Sequence, residues 1–507
     1  MSSSDPGANS EISTPWASRG AAGTLFHSGH NSNSCISDGR NDSTYSTRKA
    51  PTKLRGASCL LGGVLLHIAL GTVYTFGVSS VYLISFLKNR TDPTLRISAS
   101  ATLMAAEFSA MAIGMPLGGA LERKFGPRVV SLLGGFVFVS GVYASKFTIA
   151  YGFLPFLLSY GVLYGFGLGV AYTNPLVAAL RWFPDQQGLV SGLITAGFGL
   201  GSVLFAPLQQ QLLNPTGIPP AWMPYQEAPQ ELYYDDELIL KRVPSLFPRI
   251  AFVYAALVAA AASLICNPPD THEKEEKKQQ HQQQHPRRHT LAILQPESEQ
   301  QLPLAAVLKS QPFRLLWTLF LLQGFSILFV ASFWKALAAT SGAPAAASQQ
   351  LTETQLAVVG ATASAFNAMG RILWGKYADV KTPQEALCLL AGIWSGALLL
   401  LSRAADVHPL LYVVAVCLNF FCLGGNFALF PAATATLFGQ QAVGRVYGFV
   451  FMAQLGSSLM GAIVLPALIQ HLGTPAACRV VSVCCFTVTA VLLATMRTRA
   501  WEPFKPQ

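Results

Sequence analysis

Charge is what this sequence has least of. Of its 507 residues only 11% are charged while 51% are hydrophobic, where soluble proteins carry about 25% charged residues. A soluble domain cannot bury that much apolar surface behind so thin a polar shell, so the composition excludes one and leaves a polytopic membrane protein. Catalytic groupings are missing as well. The apolar runs hold no Ser–His–Asp set, no HExxH, no Walker loop and no paired carboxylates. That argues against an ATP-driven pump, an intramembrane protease or any other enzyme, and no cofactor or metal site is expected. None of the nine cysteines shows zinc-ligand spacing, and Cys59, Cys266, Cys388, Cys417, Cys422, Cys484 and Cys485 lie in or beside apolar runs. They read as small packing residues rather than disulfides. The net charge of +10 would suggest a nucleic-acid partner in a soluble chain. Here the bases sit in tails and loops, as membrane flanks carry them, and no nucleic acid is expected.

What the chain has in quantity is apolar runs of spanning length. They predict helices at 57–87, 98–121, 128–149, 152–180, 186–210 and 248–267, then at 313–338, 354–376, 384–404, 409–438, 441–470 and 475–496. Twelve spans split six and six by one hydrophilic stretch mark two repeated halves. The expected organisation is a disordered tail over 1–56, a first bundle over 57–267 with an exterior insertion at 211–247, a linker over 268–312, a second bundle over 313–496, and a tail over 497–507. The first tail has no apolar h-region, so a cleaved secretory signal is not expected. Asp5, Glu11, Asp38 and Asp42 argue against a transit peptide, and Ser2 excludes N-myristoylation. In the linker His281, His285 and His289 recur every four residues, but Pro286 and the surrounding Gln tract make a solvated linker the better reading.

Bases fix the orientation. Arg48, Lys49, Lys53 and Arg55, then Arg123, Lys124 and Arg128, then the linker bases, then Arg497 and Arg499 fall on one side, against Lys88, Arg90, Lys241 and Arg242 on the other. Both termini are therefore expected in the cytoplasm. The plasma membrane is the first expectation for location, with an organellar membrane open.

The stretch from Ala361 to Val380, ATASAFNAMGRILWGKYADV, carries the chemistry. Arg371 is a cation inside an apolar run, and Asn367 lies one helical turn before it on the same face. Intramembrane charges cost several kcal/mol in lipid and normally face a cavity or a partner. The planar guanidinium fits a carboxylate with two parallel hydrogen bonds, so Arg371 is the candidate anion clamp. The competing reading ties it to carbonyls or to Asp379. Glu107 could neutralise Arg371 or carry a proton, or be a protonated packing residue. For His67 a satisfied interhelical hydrogen bond outweighs a titrating relay. Tyr74 and Tyr172 could each donate a hydrogen bond from an apolar face. The glycine-rich stretches 161–169 and 192–202 suit close, sliding helix contacts.

Several motifs carry a resemblance to a known family. The loop GGALERKFGPR (118–128) after the second span and GKYADVK (375–381) after the eighth resemble the paired loop signature of the major facilitator superfamily. The stretch from Tyr172 to Leu208, with Trp-Phe-Pro-Asp, Gly188 and AGFGLGS, is similar to its oxalate/formate antiporter branch, related to the monocarboxylate transporters. The N-x-x-G-R-x-x-x-G pattern around Arg371 fits the same branch. The resemblance implies an all-α membrane fold of two pseudo-symmetric six-helix bundles, alternating access, Arg371 as the substrate-binding arginine, and Tyr74 and Tyr172 as pocket-lining aromatics. Glu122, Arg123, Gly126, Arg128, Gly375 and Asp379 would form the gating loops. Departures are informative. Arg123 stands where the usual Asp falls, with Glu122 one place early, and Asp379 lacks the following Gly. Gln454 replaces the second cation of the oxalate exchanger, so a single carboxylate suits the site better than a dianion. Asn367 replaces the Asp of monocarboxylate transporters, and the first span holds no Lys. The expected function is a carrier of small organic monocarboxylates of the pyruvate, lactate and formate class, bound by Arg371, Asn367, Tyr74, Tyr172 and Gln454. Its partners would be the carboxylate, the bilayer, and H+ or an exchanged anion. A carrier of amino acids with Glu107 on the amine, and a non-transporting membrane sensor, are the alternatives.

Overall fold

The computed structural model describes residues 49–97, 99–218, 221–225, 228–269, 303–339, 353–495, 498 and 501–504. The tail before residue 49, most of the linker with its three histidines, and Arg497 and Arg499 lie outside the described residues.

Twelve helical columns cross the described part of the chain. The first runs from Lys49–Leu70 through a 3-10 turn, Gly71–Thr75, into Phe76–Arg90. It begins at Lys49 rather than at residue 57, because Pro51 falls in the first turn, where a missing N–H costs nothing. The second and third columns form one unbroken assignment, Ala99–Thr148, divided at Gly126. There φ is 80° and ψ is 162°, a left-handed backbone suited to glycine, and Pro127 restarts the helix. The fourth column is Phe153–Phe156, a π-helical segment Leu157–Leu163, and Tyr164–Trp182. The fifth is Gln187–Leu213 and the sixth Glu237–Leu264.

A short helix, Leu304–Lys309, precedes the seventh column, Gln311–Ala339. Glu353–Val380, Pro383–Val407, Pro409–Phe438, Val443–Leu472 and Thr474–Thr495 complete the set. Ten described stretches are long and apolar enough to cross a membrane. One of these, Thr102–Tyr151, holds two columns. The column that fails on apolarity is Glu353–Val380, the one that carries Asn367, Arg371, Lys376 and Asp379.

The insertion between the fifth and sixth columns is shorter than expected. Its core is an antiparallel hairpin of β1 (Ala221–Tyr225) and β2 (Ala228–Tyr233), pairing Ala221 with Tyr233. The sixth helix then starts at Glu237, not near residue 248, because Asp236 caps it. The Asp236 carboxylate accepts from the backbone N–H of Leu238 at 2.9 Å and of Ile239 at 3.0 Å. Pro244, which fell in the expected insertion, and Pro248, the expected first residue of the helix, both lie inside it.

The first six columns pack together, as do the last six, and the halves meet mainly through the fifth column against the eighth and the second against the eleventh. These contacts lie toward the end where Lys49 and Thr495 are found, called here the terminus end. Backbone comes very close there: a Cβ on Gly188 would collide with the Gly375 carbonyl, and one on Gly119 with the Gly444 carbonyl. Only glycine allows such approach. Phe504 ties the chain's end to the tenth column, donating its N–H to the Leu437 carbonyl at 2.8 Å.

Candidate functional site

Arg371 is fully buried at the seam between the halves. Its backbone carbonyl lies where a Cβ on Gly192 of the fifth column would fall. Its side chain is gripped from both halves. The guanidinium carbon sits 5.5 Å from the Phe198 ring centroid of the fifth column and 4.9 Å from that of Phe427 on the tenth. Such stacking holds a desolvated cation with about 2 kcal/mol per ring. Nε donates to Asn367 Oδ1 at 3.0 Å, so the pair one turn apart does meet. Asn367 Nδ2 in turn donates to the Phe420 carbonyl at 3.2 Å, which fixes the amide.

The two ends of the fork have no such partner. No protein group accepts from Nη1 or Nη2, and no described acid pairs with the cation. Asp379, the alternative partner, is engaged elsewhere. Its carboxylate accepts from the N–H groups of Gly188 at 2.6 Å and Leu189 at 2.7 Å. That places an anion on the first turn of the fifth helix, across the seam, where a helix N-terminus favours it. A buried cation with two free donor edges can receive an anion that supplies two acceptors.

Aromatic hydroxyls complete the surroundings. The Tyr74 and Tyr172 hydroxyls lie within polar reach of the Arg371 side chain and Tyr447 feels its charge, though no hydroxyl closes a well-formed hydrogen bond on Nη1 or Nη2. The hydroxyls of Tyr172 and Tyr447 have no protein partner. Tyr74 lies in the 3-10 turn of the first column and packs edge-on to Phe198 at 5.4 Å. Interrupted helices place side chains at the substrate sites of many carriers. His67 stands next to Tyr172, ring centroids 4.8 Å apart. Its Nδ1 faces the Gly63 carbonyl of its own helix at 3.0 Å, so the expected interhelical bond is not made, and Nε2 has no partner.

Two expected members stand apart. Gln454 Nε2 reaches only Ser458 Oγ at 3.4 Å, and its Oε1, unpartnered, lies toward Gly324 of the seventh column. Glu107 does not neutralise Arg371. It sits inside the first half among Tyr160 and Tyr164. In the first loop, Glu122 and Arg128 serve their own half. Glu122 pairs with Arg181 of the fourth column at 2.8 Å, and Arg181 also donates to Asn267 Oδ1. Arg128 donates to the carbonyls of Ala262, Ser263 and Ile265, closing the C-terminal end of the sixth helix. Arg123 is exposed.

Sequence reasoning missed Phe198, Phe427, Tyr447 and Arg181. Tyr447 had a signal, standing two turns before Gln454 on one face; the two Phe had none within 31. A crevice of about 350 Å³ opens at the terminus end, lined by Asp185, Gly188, Ala378, Asp379, Pro383 and Thr436 among others. Arg371 is not part of its lining.

The model of the family described as Major Facilitator Superfamily matches residues 60–462. The chain is 39% identical over 476 residues to apicoplast pyruvate carrier 1 of Toxoplasma gondii, covering 85% of this chain and 86% of that one. It is 26% identical to the oxalate:formate antiporter of Oxalobacter formigenes, covering 79% and 84%. Among solved structures, the proton:xylose symporter XylE matches 89% of this chain and 98% of its own, with TM-score 0.63 and 12% identity.

Proposed function

The chain belongs to the major facilitator superfamily, and from that premise we propose that it carries small organic monocarboxylates, pyruvate foremost, by alternating access. The observation that carries the reading is Arg371, wholly buried between the halves with both Nη atoms unpartnered. Its one positive charge matches one carboxylate. A dianion would leave a negative charge unpaired in a low-dielectric seam. Once bound, the carboxylate takes the two free edges of the fork, and the Tyr172 and Tyr447 hydroxyls supply neutral hydrogen bonds to a keto or hydroxyl oxygen. Phe198 and Phe427, with Phe451 packed against Phe427 and Tyr172, offer apolar faces to a short alkyl part. The neutral complex can then pass from one side to the other as the halves rock.

An amino-acid carrier would need an acid beside Arg371 for the amine, and Glu107 is held elsewhere. The basic flanks support both termini in the cytoplasm. Similarity to a carrier named for an organelle supports an organellar membrane over the plasma membrane. Uptake of labelled pyruvate by proteoliposomes tests the reading. Arg371→Ala should abolish uptake while the purified variant elutes as wild type; uptake at the wild-type rate would defeat the assignment.

A further inference from the structure

We propose that His67 reads the α-carbon substituent of the bound acid, accepting a hydrogen bond from an α-hydroxyl and so favouring α-hydroxy monocarboxylates; the inference rests on Arg371 holding the carboxylate as described above. His67 is fully buried in the first column, one turn before the 3-10 segment Gly71–Thr75. A carbonyl can only accept, so the Gly63 carbonyl 3.0 Å from Nδ1 fixes a proton on Nδ1. Among the described residues Arg371 acts on the ring and no acid does. A second unpaired cation in the seam would be costly, so the imidazole is neutral. With its one proton on Nδ1, Nε2 is a bare lone pair. That atom is buried, and no protein group donates to it.

The ring belongs to the wall of the anion site. It packs edge-on to Tyr172, centroids 4.8 Å apart, and to Phe198 at 6.4 Å. Phe198 is the same ring that lies 5.5 Å from the Arg371 guanidinium carbon. A Cβ on Gly197 would lie 3.1 Å from the His67 Cβ, and one on Gly199 2.9 Å from Asn367 Oδ1, the acceptor of Arg371 Nε. One short stretch of the fifth column is therefore touched by His67 from the first half and by the Asn367–Arg371 pair from the second. The Tyr172 and Tyr447 hydroxyls can donate or accept, so they serve α-oxo and α-hydroxy acids alike. His67 Nε2 can only accept. An α-hydroxyl satisfies it, whereas a keto oxygen would set lone pair against lone pair and must turn to the tyrosines instead. The imidazole thus separates cargoes that share a carboxylate and a carbon chain, and no proton leaves the substrate.

The test is calorimetric titration of the purified full chain with pyruvate, both lactate enantiomers and α-fluoropropionate. The fluoro acid keeps the size and the electronegative substituent of lactate but has no proton to give. In wild type the better lactate enantiomer should bind about fivefold more tightly than α-fluoropropionate, the worth of one hydrogen bond. His67→Phe keeps a ring and removes both nitrogens. It should move the ratio of lactate Kd to pyruvate Kd about fivefold toward pyruvate. Lactate no tighter than α-fluoropropionate in wild type overturns the inference and leaves the carrier reading standing; wild type that binds neither pyruvate nor lactate overturns both. A purely structural histidine would weaken the two acids together, so an unchanged ratio in His67→Phe overturns the assignment. Should that variant not elute as wild type, His67→Gln decides. Its amide can donate as well as accept, so the ratio should again move toward pyruvate, and an unchanged ratio overturns the inference.

Discussion

Tyr172 isolates what one hydroxyl contributes. It is 1% exposed, with its oxygen toward the seam and no partner within the protein. Tyr172→Phe should therefore leave the fold intact, since it orphans no other group. A substrate hydrogen bond of about 1 kcal/mol would be lost, raising KM about fivefold with the maximal rate little changed. Initial-rate uptake at graded pyruvate concentrations reads this directly; an unchanged KM would remove Tyr172 from the site. At this scale the sequence showed the Asn367–Arg371 contact, because a four-residue offset puts both on one helical face. It could not show the Phe198 and Phe427 clamp, since each ring belongs to a different half and their convergence is a property of the assembled seam. Nor could it separate Glu107 from Arg371, because two charged residues on different helices carry no register between them.

Among the elements, the eighth column packs closely against the fifth toward the terminus end. Asp379 sits on the N-terminal N–H groups of the fifth helix across the seam. That interaction stabilises closure of the terminus end by about 0.3–1 kcal/mol. Asp379→Asn should shift the population toward an open terminus end by up to about fivefold. A cysteine placed at Thr436, in the crevice wall, should then react faster with a membrane-impermeant maleimide. An unchanged labelling rate would show that Asp379 does not hold the closed state. Column positions were legible because apolar runs of spanning length leave little choice. The start of the sixth was not, because Pro244 and Pro248 disguise a helix whose true beginning is set by the Asp236 cap.

For the whole molecule, ligand binding at the seam adds contacts to both halves and must stabilise their assembly. At a hundred times Kd the gain is about 2.7 kcal/mol, enough to raise the thermal midpoint by several degrees. Pyruvate should produce that shift in wild type and not in Arg371→Ala, and oxalate should produce a smaller one. Equal shifts for oxalate and pyruvate would contradict a site tuned to single charge. The sixfold-plus-sixfold plan was readable from run spacing alone, while the side on which the halves close was not, since it depends on glycine contacts such as Gly119 with Gly444.

The peptide carbonyl of Arg371 rests against Gly192 of the opposite half. With Arg371 as the proposed clamp, grip on the cargo and the bearing on which the two halves turn are the same few ångströms of chain. A change that frees the bearing also loosens the grip, so a faster carrier built on this frame is a weaker binder.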